Sequence, residues 1–276
     1  MSTRMVQRGL SLVELMVALV IGSFLILGAT QLYLNSKRGQ LFSSSSAENV
    51  ENARFGVLVL EEQLSKAGFR RAPDQEISTA FPAGSGPSVC RSFPAGAAVV
   101  PLSNSDKGFC FRYQAAVDDE VSCSNENVGV DRPPFSPSVS DELVYVAIQF
   151  EAGDEQQQGR LTCTTKKGSV TGDPEPIIDG VADFRVFMAE GHPRVKKLSQ
   201  DAFKLPSALA QDAVVRAVNY EVLLASGPNR REGESSIFED YVSRLDSSSA
   251  QALRNKDKRH VYQLATGGQA LRNLMP

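Results

Sequence analysis

Charge is missing from one long stretch of this sequence and concentrated in none. Between Leu15 and Ser36 there is neither an acid nor a base, and no block of five like charges occurs in the 276 residues. A net charge of −3 with scattered Lys and Arg argues against a nucleic-acid surface, which needs clustered cations to neutralise the backbone. Histidine is scarce: His192 and His260 stand far apart. The four cysteines, Cys90, Cys110, Cys123 and Cys163, include no CxxC pair, so the short paired spacings of a zinc site are missing. There is no glycine-rich phosphate loop followed by Lys and Ser/Thr, and no GxSxG elbow. His192 in EGHPR reads as a turn residue and His260 in DKRHVYQ as a strand entry. Asp118-Asp119-Glu120 reads as a solvated loop rather than a calcium site. No nucleophile–base pair remains, so the chain reads as a non-enzyme with no cofactor and no metal.

Proline is also absent before Pro73, which leaves room for one very long helix. Met1 to Gly9 is short and polar, with Arg4 and Arg8 and no acid. Leu10 to Leu34 follows as 25 residues in which Glu14 is the only charge. About 20 apolar residues of helix span a bilayer. The positive leader stays in the cytoplasm, placing everything after Leu34 on the far side. A cleavable secretory signal fits poorly, because the apolar run is too long and Ala29-Thr30-Gln31 is a weak cleavage site. Glu14 then demands an explanation. A carboxylate in hydrocarbon costs roughly 2.5–3.5 kcal/mol even on the lenient insertion scale, so it needs a partner.

Further along, Val50, Ala53, Val57, Leu60, Leu64 and Ala67 share one helix face, with Glu48, Glu51, Glu61, Glu62 and Lys66 off it. Such a stripe predicts packing onto the chain's own globular part in preference to a coiled coil. Gly68 supplies a stop. From Leu10 to Ala67 the helix would extend about 87 Å. Gly22, Gly28, Gly39 and Ser43 to Ser46 are its weak points. Residues 69–140 are rich in Pro, Gly and Ser and hold three of the cysteines and the run RPPFSPSVS, which predicts loops and short strands such as Gly108 to Tyr113.

Strand patterns follow. Val144, Val146, Ile148 and Phe150 make one apolar face, with Gly159 to Thr164 as partner through the turn GDEQQQG. Asp183 to Met188 and Val214 to Leu224 are further strands, the latter ended by Gly227-Pro228-Asn229. Asn229 to Lys258 reads as an exposed excursion with one short helix. Four cysteines beyond an export signal read as two disulfides in an oxidising compartment. Three pairings are open, and Cys90–Cys110 with Cys123–Cys163 keeps both loops local.

Arg8-Gly9 followed by Leu10-Ser11-Leu12-Val13-Glu14 resembles the class III signal of type IV pilins and type II secretion pseudopilins. The resemblance implies that a prepilin peptidase cuts between Gly9 and Leu10 and methylates the new N-terminus at Leu10, where the family more often has phenylalanine. It also implies that Glu14 meets the terminal amine of a neighbouring subunit, which would supply the missing partner. IIDGVADFRVFMAE, the stretch LPSALAQDAVVRAVNYEVLLAS and the closing ALRN resemble the minor-pilin family called PilW, and are similar to the type II secretion pseudopilin J. That likeness covers roughly residues 175–275.

The expected fold is α+β and pilin-like: a long N-terminal helix, membrane-spanning in its first half, packed on an antiparallel β-sheet domain. The implied organisation is a leader over 1–9, a transmembrane half-helix over 10–34, an amphipathic half-helix over 35–68, and a periplasmic β-rich domain over 69–276. The implied function is a minor pilin in an inner-membrane priming complex that starts type IV pilus assembly and then sits at the pilus tip, serving twitching motility and adhesion. Its partners would be other minor pilins, the major pilin, a tip adhesin and the prepilin peptidase, with no nucleic acid. A pseudopilin at the tip of a secretion pseudopilus is the alternative, and a membrane-anchored periplasmic binding or enzymatic domain a more distant one.

Overall fold

The computed structural model describes residues 11–133, 135–137, 139–191 and 202–274. Gly9, Leu10 and His192 lie outside the described residues. The chain divides into two units, residues 1–44 and 45–276, and the first helix, α1 (Leu12–Lys66), begins in one and ends in the other.

In the first unit α1 is apolar on every side. Leu12, Val13, Leu15, Phe24, Leu25, Ile26 and Leu32 are all exposed, and the helix is long and apolar enough to cross a membrane. Its few polar side chains are satisfied within the helix: the Ser23 hydroxyl donates to the Val20 carbonyl at 2.7 Å and that of Thr30 to Ile26 at 2.8 Å. Such back-bonding is what a lipid surrounding requires. The helix passes unbroken through Gly22, Gly28, Gly39 and the serine run, since a glycine costs only about 1 kcal/mol and keeps its N–H.

In the second unit, α1 buries Ser45, Asn49, Ala53, Gly56, Leu60, Gln63 and Leu64. The expected apolar stripe is thus rotated toward small and polar residues, and Val50 and Val57 are only half-buried. Close approach explains the rotation. A Cβ at Gly56 would sit 3.0 Å from Ile178, and the Asn49 amide donates to the Val261 carbonyl at 2.8 Å. Leu60 and Leu64, buried completely, contribute about 1.5–3 kcal/mol each. The helix stops at Gly68, whose φ of +72° suits only glycine. Its last-turn carbonyls are capped from the far end of the chain, where the Asn273 amide donates to Ser65 at 2.9 Å and Ala67 at 3.1 Å.

Two antiparallel sheets complete this unit. The first runs β1 (Val99–Pro101), β2 (Gly108–Gln114), β3 (Leu143–Glu151), β4 (Arg160–Lys167) and β5 (Val170–Thr171), with β6 (Glu175–Asp179) also paired to β4. A short helix, α2 (Ile77–Ala80), precedes it. The second has the order β10-β9-β7-β8, formed by Tyr262–Ala270, Val215–Ala225, Val181–Glu190 and Phe203–Lys204. The main core joins α1 residues Ala53, Leu60 and Leu64 to inward side chains of both sheets, including Phe109, Phe111, Ile148, Phe184 and Val222.

The structure corrects the sequence reading in two places. β3 was expected to bury one face, yet Leu143, Tyr145 and Ala147 on its other face are buried against Phe81, Phe93 and Val100. A near-continuous apolar run marks a strand covered on both sides. Likewise, residues 229–258 are not an exposed excursion. They form α3 (Ser236–Ser243) and α4 (Ser247–Lys256), which bury Phe238, Tyr241, Val242 and Leu253 against Leu223 and Tyr262. Ser235 caps α3, and Asp246 caps α4 by accepting from the Ser248 and Ser249 amides at 3.0 Å. The excursion reading weighed the segment's charge and serine content and overlooked these two caps.

The close pairing of Gly267 with Tyr220 is testable. A Cβ at Gly267 would lie 2.5 Å from the Tyr220 ring carbon Cζ, and the Tyr220 hydroxyl donates to the Val57 carbonyl of α1 at 3.3 Å. Gly267→Ala should displace the ring and destabilise the fold by about 1–3 kcal/mol. Tyr220→Phe should cost only about 0.5–1.5 kcal/mol. Urea unfolding of the detergent-solubilised chain measures both; equal midpoints for Gly267→Ala and the parent would show that the ring does not depend on the gap.

Candidate functional site

At the start of α1, Ser11 precedes the first helical residue and Glu14 is the third. The Glu14 carboxylate accepts the Ser11 amide at 3.1 Å, and the Leu15 amide donates to the Ser11 carbonyl at 3.2 Å. This is the reach-back half of an S-x-x-E capping box, and the negative group lies at the positive end of the helix. The spacing Ser11-x-x-Glu14 was visible in the sequence, but the search for an intermolecular partner passed over it. Ser11, Glu14, Ala18 and Ile21, one turn apart, line a shallow exposed hollow with Val13 and Val17. Glu14 is its only charge, so the hollow offers an apolar bed with one acid at its mouth.

The cysteines lie in the second unit and are all paired. Cys90 is joined to Cys110 of β2 with Cα atoms 5.9 Å apart, and Cys123 to Cys163 of β4 at 6.1 Å. Each bridge therefore fastens a loop to a strand of the first sheet. Buried arginines fasten the same loops. Arg112 on β2 is completely buried, and its guanidinium donates to the carbonyls of Ala97 (2.7 Å), Pro82 (2.6 Å), Pro94 (2.9 Å) and Phe81 (3.1 Å). Phe81, Phe93 and Tyr145 surround it, the Phe93 ring centroid at 4.9 Å. Burial lowers its pKa from the usual arginine value, and a hydrogen bond with Tyr145 opposes that shift. Arg71 does the same further on, donating to Ala115, Ala116, Arg132 and Pro133. Composition alone does not announce these clamps, because an arginine bound by carbonyls has no sequence pattern.

The remaining polar clusters are structural. Lys107 Nζ meets Asp183 at 2.6 Å, and the Tyr241 hydroxyl donates to the same carboxylate at 2.9 Å. Burial, with the Asp183 charge second, pushes the Tyr241 hydroxyl far above its ordinary pKa, so it remains a donor. The pair borders a cleft of about 200 Å³ with Phe150, Gln156 and Leu253. His260 is completely buried, with Nδ1 2.7 Å from the Ser226 carbonyl. Asp118 and Asp119 are exposed, while Glu120 accepts the Ala116 amide at 2.6 Å. Among the described residues no three His, Cys, Asp or Glu side chains are grouped to hold a metal.

Residues 4–30 match the family model described as the prokaryotic N-terminal methylation motif. No curated protein matches the chain. Among solved structures, a type IV-like pilin from Thermus thermophilus is similar at 16% identity and a TM-score of 0.40, over 82% of this chain and 97% of that one. The chain thus carries the N-terminal methylation motif, and the motif overlies the first part of α1.

The two bridges close loops of 20 and 40 residues, each worth about 3–4 kcal/mol in the chain-entropy treatment. Reduction under native conditions should therefore lower the urea midpoint of the second unit's unfolding markedly. An unchanged midpoint, with four thiols titrated, would show that the loops do not depend on their bridges.

Proposed function

We propose that this protein is a minor pilin that starts type IV pilus assembly. The observation that carries the reading is the methylation motif at residues 4–30, followed by one helix that is apolar around its whole circumference and then becomes one-sided over a β-sheet domain. Such a chain is suited to two lives. In the membrane, the first half of α1 is dissolved in lipid while the domain stands on the far side. On assembly, the same apolar surface is passed to neighbouring helices.

In this reading the prepilin peptidase cuts between Gly9 and Leu10 and methylates Leu10. Cutting there keeps the apolar helix on the product. It also frees an α-amino group, ordinarily of pKa about 7.7–8.0, one helical turn before Glu14. Paired charges are tolerable in a low dielectric where a lone one is not. Glu14 accordingly has two tasks: it closes the cap on its own helix, and its remaining acceptor capacity meets the terminal amine of the neighbouring subunit. Resemblance to the PilW family points to a priming complex of minor pilins at the inner membrane, later carried to the pilus tip, with the major pilin beneath it and a tip adhesin among its partners. The cysteine-clamped loops of the first sheet would then be the surface exposed beyond the cell.

Processing is checked by intact mass. Protein extracted from peptidase-competent membranes should lack residues 1–9 and carry one added methyl group. Loss of Arg4 and Arg8 takes the formal charge from −3 to −5, the new termini aside. Retention of Met1 in such cells would refute cleavage at Gly9.

Docking is checked by comparing Glu14→Gln with Glu14→Ala. The amide of Gln keeps an oxygen for the Ser11 cap but has no charge, whereas Ala loses both. If the charge docks the subunit, both variants should be cut normally yet reduce surface pilus number and recovery of the other minor pilins by about tenfold or more, since breaking a buried pair costs a few kcal/mol. Full recovery with Gln would instead assign Glu14 to the cap alone.

A further inference from the structure

The outward face of β2 is made of Cys110, Arg112 and Gln114, alternate residues that are all completely buried, while Phe109, Phe111 and Tyr113 face the main core. Each outward residue grips the irregular segment from Ala80 to Ala97. Cys110 holds Cys90, Gln114 donates to the Ala80 carbonyl at 3.4 Å, and Arg112 binds four carbonyls. Those four lie on both sides of Cys90: Phe81 and Pro82 before it, Pro94 and Ala97 after it. The two disulfides, moreover, sit on opposite faces of one sheet. Cys110 belongs to the cluster around Phe81 and Tyr145, whereas Cys163 lies in the main core with Cys123 packed against it. β3 runs between their strands, with Cys110 opposite Ala147 and Cys163 opposite Ile148.

We propose that the Arg112 clamp selects the Cys90–Cys110 pairing during oxidative folding. By gathering both ends of the segment around one guanidinium, Arg112 closes a loop about Cys90 before any sulfur reacts. It also fixes that loop on the face of the sheet that carries Cys110. Cys163 is then screened by the sheet itself, and Cys123 is left for it. A planar fork of donors suits this task, because it can hold several carbonyls of fixed direction at once. The charge never needs a carboxylate partner; carbonyl oxygens and aromatic faces replace its water. The oxidant is a disulfide, such as oxidised glutathione. The Cys90 thiolate attacks it and releases one glutathione thiolate. The Cys110 thiolate then attacks the Cys90 sulfur of the mixed disulfide and releases the second, so two protein thiols become one bridge and two glutathiones are formed. Arg112 is a positioning residue in this sequence and touches neither sulfur.

The test uses the full chain, reduced in detergent and then oxidised in a buffer of reduced and oxidised glutathione, with bridges mapped on peptides made without reduction. The parent should give Cys90–Cys110 and Cys123–Cys163. In Arg112→Met, similar in length but without donors, Cys90 should spread over its three partners, so that the Cys90–Cys110 share falls toward about one third. Cys163, when not captured by Cys90, should still pair with Cys123. Parent-like pairing in Arg112→Met would overturn the proposal. So would complete scrambling that extends to loss of both sheets by circular dichroism, because Arg112 would then be needed for folding at large. A second measurement removes competition: with Cys123→Ser and Cys163→Ser in place, Arg112→Met should lower the equilibrium ratio of bridged to reduced Cys90–Cys110 at least tenfold. An unchanged ratio would also overturn it.

Discussion

One constraint runs through the molecule: a single helix must satisfy two different surroundings. Over its first part α1 exposes leucine, valine, isoleucine and phenylalanine on every side, which water does not tolerate and lipid does. Over its last part only one side is apolar or small, and that side is buried. No proline interrupts the change, and no glycine breaks it. The backbone hydrogen bonds of a helix are complete within the segment, so one helix can pass from lipid to a packed domain without rebuilding its ladder. A sheet domain grown on the second part then holds the helix at its far end, through the cap that Asn273 places on Ser65 and Ala67.

That domain has an uncommon way of covering its sheets. The second sheet is covered outside by α3 and α4, with ordinary apolar contacts such as the stacked rings of Phe238 and Tyr262, 4.4 Å between centroids. The outer face of the first sheet is instead covered by chain without regular structure, whose carbonyls have no ladder partners of their own. Buried carbonyls must be satisfied. Arg112 and Arg71 supply donors in bulk, and the disulfides hold the loops where the donors can reach. Both devices answer the same deficit, which is a long Pro-, Gly- and Ser-rich segment with too little apolar surface to pack by itself.

Glu14 shows how a local and an assembly role coexist on one side chain. Its cap to Ser11 places the carboxylate at the favourable end of the helix and limits the penalty of carrying an acid into an apolar segment. The cap uses one acceptor position of one oxygen, which leaves the group able to meet a cation from elsewhere. The hollow around it is otherwise apolar, so such a cation would be met with little water to weaken the attraction.

Much of this was written in residue order. The charge-free stretch after Glu14, the absence of proline before Pro73 and the stop at Gly68 specify the helix, because helix length and sidedness depend only on near neighbours. The alternation in Val144 to Phe150 and in Val214 to Leu224 specifies strands for the same reason. What residue order left open was every choice between distant partners. Which side of α1 meets the sheets was decided by Gly56 and Asn49, whose fit to Ile178 and Val261 is steric and directional. The covering of β3 on both faces, the packing of α3 and α4, and the carbonyl cages of Arg112 and Arg71 arise from segments far apart in the chain. Periodicity reports which residues share a face; only the folded backbone decides what that face will touch.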